Sequence, residues 1–203
     1  MHATPQGRPL AGGRVRFLGT FPSADRLPTL DLPEIAFAGR SNVGKSSAIN
    51  RLLNSKRVAR VSGTPGRTQA INLFEVERRV VFADLPGYGF AKVPPEMRAQ
   101  WKTLVEGYFA GREALRLVVV LVDARHDVQA SDAELIWGLR QARLPLLVLA
   151  TKVDKVKKSK RFAQLAALRK ELRLEADGLI GFSSFDGTGL VEAWAALNAA
   201  ASA

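Results

Sequence analysis

The sequence has no cysteine and only two histidines among its 203 residues. The absence of cysteine excludes disulfide bonds, thiol catalysis and cysteine-ligated zinc or iron–sulfur sites, and two histidines leave little material for a histidine metal site. A cation with oxygen ligands remains possible. The amino-terminal residues lack an apolar segment with a cleavage site, and no apolar run approaches the roughly 20 residues that a membrane span needs. We therefore expect a cytoplasmic protein without a membrane span.

Acidic residues are few, because 19 Asp and Glu stand against 30 Lys and Arg and give a formal net charge of +11. This excess favours a polyanionic partner, although a solvated basic surface accounts for it equally well. The length suits one domain, and 47% apolar residues are ample for its core. Residues 1–12 are rich in proline, glycine and small residues and are expected to be a flexible tail, so that residues 13–203 form a single domain.

One stretch fits the phosphate-binding loop pattern G-x-x-x-x-G-K-[ST]. A predicted buried strand at 34–38 precedes it and a predicted helix at 46–53 follows it, so the positive end of the helix faces the loop. In such a loop Lys45 reaches the β and γ oxygens and the Ser46 hydroxyl ligates Mg²⁺. This order of elements favours a nucleotide site over a chance glycine-rich turn. The residues expected to contact nucleotide are Gly39, Arg40, Ser41, Asn42, Val43, Gly44, Lys45, Ser46 and Ser47.

The rest of the chain alternates predicted strands and helices. Apolar patterning predicts further strands at 13–19, 69–76, 79–83, 115–122, 144–150 and 179–182, with a tight hairpin through Glu77 and Arg78. Helices are predicted to begin at Pro94 and Pro95, at a cap on Ser131 or Asp132, and over 159–174 and 190–197. The alternation predicts an α/β fold with a doubly wound, mostly parallel sheet, helices on both faces, and ligands at the carboxyl ends of the strands.

Three more motifs follow predicted strands. In the first, Asp84-Leu85-Pro86-Gly87, the carboxylate can hold Mg²⁺ through water and the glycine N–H can face a γ-phosphate. In the second, Thr151-Lys152-Val153-Asp154, the Asp154 carboxylate suits the two N–H donors of guanine, which adenine lacks, and the lysine stem can lie along the base. In the third, Phe182-Ser183-Ser184, backbone N–H groups can reach the guanine O6. Together the motifs predict a guanine-nucleotide site.

These motifs resemble those of the translation-factor class of GTPases and, within the TrmE-Era-EngA-EngB-Septin-like superfamily, the EngB (YihA/YsxC) family. The resemblance runs from about Arg14 to the carboxyl terminus and includes 64–69 and 123–126. It implies a small-GTPase-like G domain of the P-loop NTPase fold that binds GTP or GDP with Mg²⁺. Thr151 stands where many GTPases carry asparagine, but threonine is typical of this family.

The resemblance also assigns a switch segment. Thr68 is implied to be the switch threonine, whose hydroxyl joins Ser46 on Mg²⁺ and whose N–H contacts the γ-phosphate. Asp84 is implied to hold the same ion through water. The catalytic set is then Lys45, Thr68 and Gly87, and the segment adds to the nucleotide contacts Gly66, Arg67, Thr68 and Gln69.

Hydrolysis is expected to be slow, because Tyr88 stands where Ras-like enzymes carry a water-orienting glutamine. Asn42 resembles an asparagine that holds K⁺ in related bacterial GTPases, and a backbone preference of the loop is the alternative interpretation. Family members are linked to assembly of the large ribosomal subunit, and their loss shows as a defect in septation and division. The resemblance therefore implies a monomeric GTP switch that binds a large-subunit precursor, with its rRNA and ribosomal proteins.

The densest basic stretch lies at 152–161, with Arg169, Lys170 and Arg173 beyond it and Arg51, Lys56, Arg57 and Arg60 beside the switch segment. Neutralising RNA phosphates there predicts a steep loss of affinity with salt. Phe162 is the only aromatic residue in these stretches, so recognition by RNA shape is expected rather than base stacking, and no readout of DNA sequence. Arg125 and His126 either extend this surface or form a local cap or salt bridge.

Two other functions fit parts of the sequence. An ATP-dependent kinase or ATPase could use the same fold, but a guanine-specific carboxylate at Asp154 has no role in adenine binding. A constitutive RNA-binding module with a vestigial nucleotide pocket would suit the charge of +11. The intact set of Lys45, Ser46, Thr68 and Asp84 favours a working GTP site over a vestigial one.

Overall fold

The computed structural model describes residues 13–55, 70–89 and 95–203, so the predicted tail at 1–12 and the predicted switch segment at 64–69 lie outside it. The strands in the described ranges are β1 (Val15–Phe21), β2 (Glu34–Gly39), β3 (Ile71–Val76), β4 (Val80–Asp84), β5 (Leu115–Asp123), β6 (Leu146–Thr151) and β7 (Leu179–Gly181). The helices are α1 (Lys45–Leu52), α2 (Pro95–Ala110), α3 (Ala130–Gln141), α4 (Lys158–Glu171) and α5 (Leu190–Ser202). Short 3₁₀ turns lie at Ala24–Arg26 and Val153–Lys155.

All seven strands belong to one sheet, in the order β1-β3-β4-β2-β5-β6-β7. Strand β2 is parallel to β4 and β5, β6 is parallel to β5 and β7, and only β1–β3 and β3–β4 are antiparallel. The predicted mostly parallel α/β fold is therefore confirmed. Because β2, β4, β5, β6 and β7 run the same way, their carboxyl ends meet at one edge of the sheet, where the motifs follow them.

Helices cover both faces of the sheet. On one face α1 and α5 pack Ile49 and Trp194 against the sheet, and on the other α2, α3 and α4 contribute Tyr108, Ile136 and Leu168. Every residue of β2 and β4 is buried. Because helices cover both faces, residues 35–39 of β2 and 80–83 of β4 are continuous apolar runs in the sequence. None of the helices in the described ranges is long and apolar enough to cross a membrane.

The hairpin between β3 and β4 turns at Glu77 and Arg78, as predicted. Both residues have positive φ, 54° and 56°, and the Arg79 N–H donates to the Val76 carbonyl at 3.0 Å. Two positive φ values inside a four-residue turn define type I′, whose twist matches that of the strands it joins. The turn therefore sets the β3–β4 register.

The start of α3 differs from the prediction. The helix begins at Ala130 with Gln129 at its N-cap position, so Ser131 and Asp132 lie inside its first turn rather than capping it. The Asp132 side chain is buried and accepts a hydrogen bond from the Tyr88 hydroxyl at 2.8 Å. The capping prediction was wrong because a contact distant in the sequence takes the carboxylate.

A buried charged cluster lies at the amino-terminal end of β2. The fully buried Glu34 carboxylate accepts hydrogen bonds from the Tyr108 hydroxyl and from Arg112 Nη2, the latter at 2.7 Å. Arg112 also donates from Nη1 to the Pro28 carbonyl at 2.7 Å. Burial, and then the Glu34 charge, raises the pKa of Tyr108 well above its ordinary value. Hydrogen bonds thus accompany the burial of both charges.

Candidate nucleotide site

The predicted phosphate-binding loop connects β2 to α1, and its glycines are required by the geometry. Gly44 precedes the helix with φ +105°, which side chains rarely adopt. A Cβ on Gly39 would lie 2.9 Å from Val43 Cγ1 and 3.2 Å from the Leu121 carbonyl oxygen. Asn42 has φ 63°, a region that asparagine enters more readily than most residues, which favours the backbone interpretation of this position.

Lys45 and Asp84 meet between the loop and the end of β4. The Lys45 ammonium donates to Asp84 Oδ1, and both side chains are about nine-tenths buried. Ser46 follows Lys45 in the first turn of α1 and supplies a hydroxyl. A hydroxyl and a carboxylate are the oxygen ligands that Mg²⁺ prefers, so these residues fit the ion that the motifs imply. In the part of the chain that the structure describes, no group of three or more His, Cys, Asp or Glu could hold a metal.

The segment after β4 lies against the phosphate-binding loop. The Ser41 N–H donates to the Tyr88 carbonyl at 2.8 Å, and the Tyr88 N–H donates to the Gly39 carbonyl at 3.3 Å. A Cβ on Gly87 would lie 3.4 Å from both the N and the Cα of Ser41. Gly87 therefore brings its backbone against the loop, where a γ-phosphate sensor is expected.

The Tyr88 side chain points into the protein. Its ring lies 5.4 Å from that of Trp101, whose Nε1 donates to the Pro86 carbonyl at 2.8 Å. Its hydroxyl donates to Asp132, and burial followed by the Asp132 charge raises the pKa of Tyr88 well above its usual value. Burial also raises the pKa of Asp132. A tyrosine fixed in this way has no free hydroxyl to orient water.

Arg40 lies beside this buried pair. Its Nε is buried and makes no hydrogen bond to any described residue. A cavity of about 250 Å³ separates the loop from the β5–α3 connection, with Arg40, Asp123 and Asp132 among its lining residues. Arg40 was expected only among the nucleotide contacts, and its charge interaction with Asp132 of α3 was not predicted.

The motif after β6 is tied to the phosphate-binding loop. Thr151 Oγ1 lies 2.7 Å from the Val43 carbonyl and 3.0 Å from the Val122 carbonyl, so its one hydrogen is shared between them. Lys152, at φ 58°, donates from Nζ to the Asn42 carbonyl at 2.7 Å and to Asp123 Oδ2 at 2.8 Å. Both Thr151 and Lys152 therefore hold the base motif against the loop.

Asp123, at the end of β5, joins these residues to Arg125. Arg125 donates to the Asp123 carboxylate from Nη2 at 2.7 Å and from Nε at 2.9 Å, which confirms the local salt bridge considered as one alternative. Burial alone would raise the pKa of Asp123, but the hydrogen bonds from Arg125 and Lys152 hold it well below 3.8. Its position at a strand end and its place in the 123–126 motif were the signals in the sequence.

Asp154 lies in the 3₁₀ turn after Lys152. Its carbonyl accepts a hydrogen bond from Arg161 Nη2 at 3.2 Å. Its carboxylate forms no hydrogen bond or ion pair with another residue in the described ranges, so both oxygens can accept from a ligand. Val153 behind it is buried and contributes to the core.

The third motif, Phe182-Ser183-Ser184, has fewer free backbone N–H donors than predicted. The Phe182 N–H donates to the Ala150 carbonyl at 2.8 Å, and the Ser183 N–H donates to the Thr188 carbonyl at 3.0 Å. Neither can therefore reach the guanine O6. Ser183 Oγ accepts from the Phe185 and Asp186 N–H groups, both at 3.2 Å. Of the three predicted donors, only the Ser184 N–H has no partner among the described residues. The sequence could not show which of them the fold would use.

Comparison with known proteins decides the family. Residues 34–152, more than half of the chain, match the model of a family described as a 50S ribosome-binding GTPase. A probable GTP-binding protein EngB from Streptococcus gordonii is 47% identical over 171 residues, 84% of this chain and 87% of that protein. One from an Exiguobacterium species is 42% identical over 187 residues, 92% of this chain and 95% of that protein. The chain belongs to the EngB family of GTP-binding proteins. It is a GTPase, which binds GTP and hydrolyses it to GDP and phosphate.

Solved structures agree with the EngB assignment. The crystal structure of a probable GTP-binding protein EngB has a TM-score of 0.69 and 26% identity, covering 83% of this chain and 98% of that one. A point variant of Aquifex aeolicus Era bound to GDP·AlF4⁻ has a TM-score of 0.66 and 21% identity, covering 85% of this chain and 57% of that one, which shows a shared fold.

Proposed function

We propose that this EngB-family GTPase acts as a switch in assembly of the large ribosomal subunit and is needed for normal septation and cell division. The main support is that hydrogen bonds connect the phosphate-binding loop to the two other motifs. Lys45–Asp84 and Ser41–Tyr88 connect it to the γ-phosphate motif, and Lys152–Asn42 connects it to the guanine motif. A site joined in this way suits coupling of GTP to a partner. Action on ribosomal particles would place the protein in the cytoplasm, and we propose a monomer with residues 13–203 as one G domain.

The phosphates would lie along residues 39–47, against the N–H groups there that make no hydrogen bond within the protein, which excludes those of Ser41 and Val43. The Lys45 ammonium would move from Asp84 to a phosphate oxygen. Ser46 and Thr68 would hold Mg²⁺ directly and Asp84 through water, and the ion would supply positive charge at the β and γ oxygens. Gly87 would donate its N–H to the γ-phosphate. Gly66, Arg67 and Gln69 would join this end of the site.

Guanine would lie beside Asp154, whose carboxylate is free to accept from the two N–H donors of the base. The Ser184 N–H would donate to O6, which adenine lacks. The Lys152 stem, held at Asn42 and Asp123, would lie along the ring. An ATPase would gain nothing from a free carboxylate here, so equal affinities for GTP and ATP in calorimetric titration would contradict the assignment.

Intrinsic hydrolysis should be slow, because Tyr88 is held by Asp132 and cannot orient water. Catalytic help from outside the chain is then required. Potassium bound near Asn42 is one candidate, since a cation there would add positive charge beside the transferring phosphoryl group. Phosphate release should then be faster in K⁺ than in Na⁺ at equal ionic strength. Equal rates, alone and with ribosomal particles, would remove potassium from the proposal.

The proposed partner is a large-subunit precursor with its rRNA and adjoining proteins. Basic side chains before, on and just after α4 are exposed, among them Lys155, Lys158, Arg169 and Arg173. They can neutralise RNA phosphates, so affinity should fall steeply with salt. Lys56, Arg57 and Arg60, which are also predicted to belong to this surface, lie outside the described residues.

Sedimentation with large-subunit precursors tests the proposal. The protein is incubated with the particles in GTP analogue, GDP or no nucleotide, over a series of salt concentrations. We expect co-sedimentation chiefly with the GTP analogue and a steep loss with salt. Equal co-sedimentation in all three states would support a constitutive RNA-binding module, and binding only to small-subunit particles would contradict the proposed partner.

A further inference from the structure

Two phenylalanine side chains are almost fully exposed near the guanine end of the site. Phe162, in the second turn of α4, is 86% exposed, and Phe185, directly after Ser184, is 87% exposed. The other large exposed apolar side chains in the described ranges include Trp137 at 65% and Phe17 at 57%. Burying a phenyl ring is strongly favourable, so two rings left in water beside a ligand site suggest that a partner covers them.

The fold brings these two rings to the same end of the molecule. A Cβ on Gly181 would lie 2.8 Å from Leu165 Cδ1, so α4 packs directly against the end of β7. Arg161, the neighbour of Phe162, binds the Asp154 carbonyl at 3.2 Å. Its charge also reaches Asp186, the neighbour of Phe185, where it adds to the Thr188 hydrogen bonds that lower the Asp186 pKa to about 2. Phe162 and Phe185 are therefore the chain neighbours of two residues, Arg161 and Asp186, whose charges interact.

Positive charge surrounds the rings. Lys155, Lys157, Lys158 and Lys160 are all exposed. None of these four forms an ion pair with another residue in the described ranges, and the first turn of α4 contains no acidic residue. The local charge is therefore free to attract an external polyanion.

We propose that Phe162, Phe185 and these four lysines form a binding surface for an unpaired segment of RNA, with the rings stacking on bases and the lysines contacting phosphates. Exposed aromatic rings among unpaired lysines are the combination that single-stranded nucleic acid binding uses, because every base has a face that can stack. A protein partner would need acidic groups for the lysines and an apolar pocket for the rings. Base stacking at this surface would add to the recognition of RNA shape that the sequence predicted. This inference rests on the proposed function only for the identity of the RNA.

Fluorescence anisotropy with the full chain tests the surface. The probes are a labelled 12-nucleotide oligouridylate and a labelled 12-base-pair RNA duplex, each titrated in GTP analogue at several salt concentrations. Phe162→Ala and Phe185→Ala should each weaken binding of the single strand about tenfold. Binding of the duplex should be unchanged, because paired bases offer no free face.

The salt dependence separates stacking from charge. The phenylalanine variants should keep the wild-type slope of log affinity against log salt, since they remove no phosphate contact. Lys157→Gln with Lys158→Gln should reduce that slope by roughly two. Phe162→Trp should retain the affinity, and Trp137→Ala is the matched exposed control, with no expected change. Thermal unfolding checks that each variant is folded.

Three results would overturn the proposal. The first is single-strand binding by Phe162→Ala/Phe185→Ala equal to wild type. The second is an equal loss for strand and duplex. The third is a loss of GTP affinity in Phe185→Ala without a loss of RNA affinity, which would make the ring a cover for guanine. Failure to co-sediment with ribosomal particles would reject the proposed function and leave this result standing, because the oligonucleotide assay uses no particles.

Discussion

Charged groups at the two ends of the parallel strands differ in how completely they are hydrogen-bonded. At the amino-terminal end, the buried Glu34 carboxylate is satisfied by Tyr108 and Arg112. At the carboxyl-terminal end, the buried Arg40 Nε makes no hydrogen bond to any described residue. The Asp154 carboxylate forms no hydrogen bond or ion pair with any of them. Both ends lie in the same sheet and are built by the same core.

This difference separates structural charges from functional ones. The buried Glu34–Arg112 ion pair has its hydrogen bonds within the fold, so it can position a strand without a bound ligand. A buried polar atom left without a hydrogen bond costs stability, so the retention of Arg40 Nε at this edge of the sheet indicates a ligand that completes it. The partly exposed Asp154 carboxylate is open to the same ligand. Substitution of Glu34 should therefore change folding, and substitution of the Asp154 carboxylate, which has no hydrogen bond among the described residues, should change binding.

The largest effect is expected at Glu34. Glu34→Ala leaves the mostly buried Arg112 guanidinium without its carboxylate and should lower the free energy of unfolding by about 3–5 kcal/mol. Urea unfolding followed by tryptophan fluorescence measures it. Arg16→Ala is the control, because Arg16 is 67% exposed in its pair with Glu75, and it should cost at most about 1 kcal/mol. Equal losses in the two variants would contradict the structural role of Glu34.

The second effect concerns the choice of base. Asp154→Asn should weaken GTP binding about 100-fold, or ~2.7 kcal/mol, because an amide cannot accept from both guanine donors. It should strengthen binding of xanthosine triphosphate, whose C2 carbonyl can accept from the new amide. Calorimetric titration measures both, with Asp177→Asn as the exposed control. Equal loss for both nucleotides would show that Asp154 does not contact the base.

Tyr88 tests whether a residue in the candidate site has a structural role. Tyr88→Phe leaves Asp132 buried without its donor and should lower the free energy of unfolding by about 1–2 kcal/mol. The rate of GTP hydrolysis should stay within about twofold of wild type, since the hydroxyl already points at α3. Single-turnover phosphate release on the folded variant is the measurement. A tenfold fall in rate would place the hydroxyl in the chemistry.

The smallest effect is a pH dependence at Asp123. Its pKa is lower in the folded protein than the ordinary 3.8, so the stability it contributes is present above about pH 4 and is lost as the pH falls. Wild-type protein should therefore lose more stability than Asp123→Asn between about pH 5 and about pH 2, by less than about 1 kcal/mol because the group is partly exposed. Parallel curves from urea unfolding at each pH would contradict the shift.

Sequence patterns predicted the architecture because local signals set it. The continuous apolar runs of β2, β5 and β6 required cover on both faces, and the four motifs at strand ends fixed where a ligand could lie. Strand and hairpin predictions agreed with the structure to within a few residues. These features depend on neighbours in the chain, which a sequence displays directly.

Contacts between distant residues were not predictable in the same way. Glu34 and Arg112 are 78 residues apart, and no local pattern indicates their pairing. The local sequence predicts a helix cap at Asp132, but its carboxylate accepts from the Tyr88 hydroxyl, 44 residues away in the chain. Phe185 lies outside the basic stretches in sequence and joins them only because β7 ends beside α4. Which N–H of 182–184 stays free likewise depends on the finished sheet.

The Thr151 hydroxyl has a further consequence. By bonding the Val43 and Val122 carbonyls it fixes the spacing between the phosphate-binding loop and the base motif. Such a rigid spacing gives a ligand that carries both base and phosphates a high effective concentration at the second subsite once the first is filled. Guanosine or triphosphate alone gains nothing from it. Thr151→Val should therefore weaken GTP far more than either fragment, since valine keeps the shape and removes the bond that holds the two subsites in register.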